Sequence, residues 1–75
     1  MAIRSVTIHE RPKEFGRQVQ WLRRHGRMTV EELAESLGVD PAWVQGLESG
    51  FFGASPVMRS KLALAFQISV DELER

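Results

Sequence analysis

Residues 30–49, Val-Glu-Glu-Leu-Ala-Glu-Ser-Leu-Gly-Val-Asp-Pro-Ala-Trp-Val-Gln-Gly-Leu-Glu-Ser, constrain the fold more than any other stretch. Small or apolar residues fall at Leu33, Ala34, Leu37, Val39, Val44 and Leu47, with a glycine at Gly38. Leu33, Ala34 and Leu37 make one face of a short helix. Gly38 supplies the positive φ that turns the chain. Val44 and Leu47 then hold a second helix across the first, and Ala34 is small where the two must approach closely. The spacing is that of two short helices crossing about a tight turn.

The flanking segments extend this helical pattern. Residues 2–8 are rich in β-formers, Ile3, Val6, Thr7 and Ile8, and read as an extended arm or short edge strand. Pro12 suits the first position of a helix and not its interior. That helix is expected to run to about Arg24, with Phe15, Val19 and Leu22 facing the core at i, i+4, i+7. His25-Gly26-Arg27 ends it, with Gly26 as the left-handed cap. Thr29-x-x-Glu32 is a capping box that opens the second helix. Asp40-Pro41 and Ser55-Pro56 each join a capping side chain to a first-turn proline, and open the third and fourth helices. Val57, Met58, Leu62, Ala65 and Phe66 form the apolar stripe of the fourth. Ser69-x-x-Glu72 is another capping box, and begins a last short turn with Leu73 inward. The expected architecture is all-α: a compact five-helix domain over residues 12–75, with a short extended arm at residues 1–11.

Seventy-five residues make one small domain whose core is feasible but marginal, so dimerisation would help to bury surface. The chain has no cysteine, which excludes a disulfide framework or a thiolate metal site. No run approaches the ~20 apolar residues of a membrane span, and Met1 to Val6 show no signal-peptide core. A soluble intracellular protein is expected. Ten basic and ten acidic residues balance to zero, but unevenly along the chain. Arg4, Arg11, Lys13, Arg17, Arg23, Arg24 and Arg27 crowd the first thirty positions, and acidic residues dominate the rest. The basic end either meets phosphate, attracts the acidic end of a neighbouring copy, or is a solvated face.

Catalytic and metal chemistry find little support. His9 and His25 stand alone without cysteine or a carboxylate cluster at ligand spacing, so no metal is expected. Glu31, Glu32 and Glu35 read as a solvated outer face that also suits the helix dipole. No Ser-His-Asp arrangement and no Gly-rich phosphate loop is present, so neither an enzyme nor a cofactor is expected. Trp43 reads as a partly buried anchor. Trp21, between Val19 and Leu22, points outward and is an interface candidate. Phe51 and Phe52 cannot both be buried in so short a loop; one folds into the junction of the third and fourth helices, and the other marks an interface.

The whole pattern is Phe15-Gly16, Val19, Leu22-Arg23, Met28 to Ala34, Leu37-Gly38-Val39, Val44, Leu47-Glu48, Gly50, Lys61-Leu62-Ala63 and Ile68 to Leu73. It resembles the lambda-repressor-like (Cro/cI or Xre-type) helix-turn-helix family over about residues 14–73. The resemblance implies that residues 41–48 are a recognition helix for the major groove of double-stranded DNA. It implies that Arg23, late in the first helix, is held against Glu48, at the end of the third. It also implies a homodimer on a palindromic site, with its surface at residues 68–75 and Phe66, Leu73 included.

This chain departs from the DNA-reading members of that family in three places. Val30 stands where they often carry a phosphate-anchoring glutamine. The recognition positions are Pro41, Ala42, Trp43, Gln45 and Gly46, among which Gln45 has the amide for an adenine edge and Ala42 suits a thymine methyl. Gly46 would let another backbone come close. The loop Phe51-Phe52-Gly53-Ala54 lacks the usual lysine or arginine. Phosphate contacts then fall to Arg4, Arg11, Lys13, Arg17, Arg24, Arg27 and Arg59, with the arm suited to the minor groove. Two readings stay open: a small DNA-binding transcriptional regulator, or a protein-interaction module that has lost DNA readout and docks a partner on Trp21, Trp43, Phe51 and Phe52.

Overall fold

Helix α1, Pro12–His25, begins where its proline has no N–H to satisfy, with Arg11 extended at the cap position. The computed structural model describes residues 11–74. Arg4, the rest of the expected arm up to Glu10, and Arg75 lie outside the described residues. Phe15 and Val19 are fully buried on the inner face of α1, and Leu22 packs against the same core.

The end of α1 differs from expectation. Gly26 has an ordinary φ of −81°, and the left-handed residue is Arg27 at φ 57°. The helix runs one residue further than the sequence suggests, so the closing slot moves with it. Arg27 N–H donates to Arg24 C=O and Met28 N–H to Arg23 C=O, both at 3.0 Å, which is the paired closure of a Schellman turn. A left-handed arginine costs about 1 kcal/mol, which the closure offsets.

Helix α2, Val30–Leu37, carries the capping box in full: Glu32 N–H donates to Thr29 Oγ1 at 3.0 Å, and Thr29 N–H donates to the Glu32 carboxylate at 2.8 Å. Gly38 then turns the chain at φ 72°. Helix α3, Pro41–Glu48, is capped by Asp40, whose Oδ1 accepts from Ala42 N–H at 2.9 Å. Helix α4, Pro56–Phe66, is capped by Ser55, and the short α5, Val70–Leu73, by the Ser69–Glu72 box.

The core joins Phe15 and Val19 to Leu33, Ala34, Leu37, Val44, Leu47, Leu62, Ala63 and Leu73. Two expectations are corrected here. Val57 is 68% exposed, while Ala63 takes a core place beside Leu62. At 3.6 residues per turn, Val57 stands about 140° around the helix from Leu62, outside any stripe centred on that leucine. Leu73 is inward but, at 0% exposure, is closed off inside the monomer and offers no surface to a second copy. All described secondary structure is helical, and no described helix is long and apolar enough to cross a membrane.

Candidate nucleic-acid interface

Helix α3 is set by α1 in two ways. The first is a close approach of backbones. A Cβ added to Gly16 would collide with the Leu47 carbonyl oxygen and lie 2.7 Å from that of Glu48, so α1 can approach the end of α3 only through a glycine. The second is an ion pair. Arg23 Nε lies 2.6 Å from Glu48 Oε2 and its Nη2 donates to Oε1 at 3.1 Å. Its Nη1 donates to the Met28 carbonyl at 2.9 Å, which ties the α1–α2 turn into the same fork. The two side chains are only 11% and 5% exposed. The hydrogen bond to Glu48 raises the Arg23 pKa against the opposing effect of burial, with Coulomb attraction to Glu48 and Glu31 adding to it.

The other side of α3 is open. Ala42, Gln45 and Ser49 are exposed at i, i+3, i+7, while Pro41 and Trp43 are half-buried. Gly46 shares the open face, and its surroundings correct the expected backbone approach. A side chain covers it: an added Cβ would lie 2.7 Å from Phe52 Cε2. The Phe52 ring is half-buried against Trp43, with centroids 5.3 Å apart and tilted by 44°. Phe51 is 83% exposed. The pair therefore divides into one inward and one outward ring, as the shortness of the loop requires.

The basic side chains expected to hold phosphate are not equally available. Arg11, Lys13, Arg17, Arg24 and Arg27 are all exposed. Lys13 has a place that sequence reasoning did not foresee. Gly50, at φ 81°, lies so close to α1 that an added Cβ would be 2.8 Å from both Cα and Cγ of Lys13. The first turn of α1 thus brings a lysine to the loop that has none of its own. The signal was the glycine after α3, which had to be read as a contact as well as a turn. Arg59 is engaged elsewhere. Its Nη1 donates to the Ala54 carbonyl at 2.8 Å, and its Nε pairs with Glu74 at 2.7 Å as an ion contact. The expectation that it is free for phosphate is therefore corrected.

Trp21 is 54% exposed and lies on the outer face of α1, stacked on His25 at 3.6 Å. Phe66 is half-buried and lines a groove of about 470 Å³ between the ends of α1 and α4, with Leu22, Met28 and Ala65. Among the described residues no group of His, Asp and Glu is arranged to hold a metal ion.

Comparison with known proteins places this geometry. The model of a family described as helix-turn-helix domain matches residues 14–75. Among solved structures, the restriction-modification controller protein C.AhdI from Aeromonas hydrophila is 36% identical, with 85% of this chain and 96% of that one covered, at a TM-score of 0.77. The clp gene regulator ClgR from Corynebacterium glutamicum is 26% identical over 83% of this chain and 66% of that one, at a TM-score of 0.79. SinR, a master regulator for biofilm formation solved in complex with DNA, shares the fold at 23% identity and a TM-score of 0.73, with 79% and 95% covered. Comparison with curated proteins gives no significant match.

Proposed function

The chain belongs to the helix-turn-helix domain family, whose model spans residues 14–75, and on that premise we propose that it is a small DNA-binding transcriptional regulator. The observation that carries the reading is the state of α3. One side is clamped to α1 by Gly16 and the Arg23–Glu48 fork, and the other side, Ala42, Gln45 and Ser49, is free. A helix fixed on one face and open on the other is what major-groove insertion needs. The similarity to a controller protein and a gene regulator supports it.

In this reading Gln45 pairs with an adenine edge through its amide, and Ala42 meets a thymine methyl. Pro41 and Trp43 shape the leading turn of α3. Lys13, Arg11, Arg17, Arg24 and Arg27 hold phosphates, and Arg4 follows the arm of residues 1–11 into the minor groove. The protein works as a homodimer on a palindromic site, with its two copies of α3 ~34 Å apart on successive major grooves. It acts in the cytoplasm, on the nucleoid, and needs no cofactor.

The test is fluorescence anisotropy on duplex DNA selected from a randomised pool, against scrambled competitor, at low and physiological salt. Binding that survives competitor and falls steeply with salt supports the reading. Equal, weak binding to selected and scrambled DNA overturns it. A second reading, a protein-docking module, is favoured by the 83% exposure of Phe51 and the 54% exposure of Trp21. That reading gains if DNA fails while substitutions of these two residues abolish a protein complex.

A further inference from the structure

The open face of α3 has a gap in its middle. Ala42, Gln45, Gly46 and Ser49 share one face at the i, i+3, i+4, i+7 spacing, and Gly46 brings no side chain to it. The gap is filled from the following loop. A Cβ at Gly46 would lie 2.7 Å from Cε2 and 3.1 Å from Cζ of Phe52. The far edge of that ring therefore stands where a side chain of α3 would begin. Trp43 supports the ring at a centroid distance of 5.3 Å, and the ring stays half-buried instead of enclosed.

We infer that Phe52 is a specificity-determining residue of the DNA-reading face, an apolar group that contacts the C5-methyl of a pyrimidine in the major groove. The inference rests on the DNA-binding reading above. The chemistry follows from what the position offers. A phenyl ring cannot exchange hydrogen bonds with the N7, O6, O4 or exocyclic amino groups of base edges. Set against them, it leaves their donors and acceptors dry and unpaired, which is unfavourable. The apolar feature of a base edge in that groove is the C5-methyl, carried by thymine and equally by a methylated cytosine. Ala42 and the Phe52 ring then share the face with Gln45, so that an amide reading one base works beside two contacts that seek methyl groups. The glycine is what makes room. Any side chain at position 46 would displace the ring from the face.

The experiment uses the full chain and a site selected from a randomised duplex pool. Each thymine of that site is replaced singly by uracil, which removes only the methyl. In the native protein one such replacement, beyond any assigned to Ala42 by an Ala42→Gly control, is expected to weaken binding about fourfold, the burial of one such group being worth ~0.8 kcal/mol. Phe52→Ala is expected to bind the thymine and uracil sites equally at that position. Gly46→Ala, which suits a helix better and displaces the ring, is expected to erase the same penalty even where Phe52→Ala does not fold. Putting cytosine and then 5-methylcytosine at the position separates the sources: recovery on methylation assigns the contact to the methyl on either base, and no recovery confines it to thymine. A uracil penalty that is identical in the native protein and both variants overturns the inference while leaving DNA binding intact. Failure to select any site overturns the DNA-binding reading itself.

Discussion

Arg23 and Glu48 meet fork to fork across 25 positions of the chain, two guanidinium nitrogens on two carboxylate oxygens at 2.6 and 3.1 Å. Both side chains are largely buried, so removing one strands a charge away from water. Arg23→Ala or Glu48→Ala is expected to cost ~3–5 kcal/mol in urea unfolding, and the double replacement clearly less than the sum. Because the Arg23 pKa is raised, its contribution is present below the unfolded value and lost only as pH rises through the folded one. That window lies deep in alkali, so the cost is expected to stay constant from neutral pH upward until strong alkali is reached. A single-variant loss under ~1 kcal/mol would show the fork to be ornamental.

Two left-handed turns make opposite predictions. Gly38 stands at φ 72° with open space around it, so Gly38→Ala meets only conformational strain and is expected to cost ~1 kcal/mol. Gln67 holds φ 58° at the end of α4, where glycine is the better residue, and Gln67→Gly is expected to gain up to ~1 kcal/mol. Thermal melting of both variants decides; shifts of the same sign would contradict the argument.

Gln45 is exposed, so its loss costs the fold little. Gln45→Ala is expected to leave the melting temperature unchanged and to lose ~1–3 kcal/mol of affinity on the selected site, with relaxed preference at one base pair. Binding across a panel of single base changes measures both effects. An even loss over all bases would move Gln45 from reading to phosphate contact.

Lys13 and Arg17 are expected to act without regard to sequence. Each, changed to alanine, should weaken specific and scrambled DNA alike and reduce the slope of log affinity against log salt by about one. Deleting residues 1–10, which removes Arg4, is expected to flatten the slope as well. An unchanged slope after the deletion would remove the arm from the interface.

What was legible in the sequence follows the range of the rule that reads it. Thr29 with Glu32, Asp40, Ser55 and Ser69 with Glu72 cap as their spacing requires, because a cap is decided within four residues. The left-handed residue at Arg27 was missed by one position, since a helix end is a balance of nearly equal closures. Leu73 is inward as its capping box suggests, but the completeness of its burial, which removes it from any interface, depends on how α5 packs against α4. The candidate site was legible in its α3 residues but not in its surroundings. That Phe52 covers Gly46, and that Lys13 meets Gly50, are contacts between elements whose relative placement no local rule supplies.

Helix α3 is fastened through its carbonyls, its buried Val44 and Leu47, and the Glu48 carboxylate, none of which lies on the open face. Exchanging Ala42, Gln45 or Ser49 therefore leaves the mounting untouched. A lineage carrying this domain can retarget it one exposed position at a time, each intermediate still folding, so that its address on the genome is free to drift while its scaffold stands still.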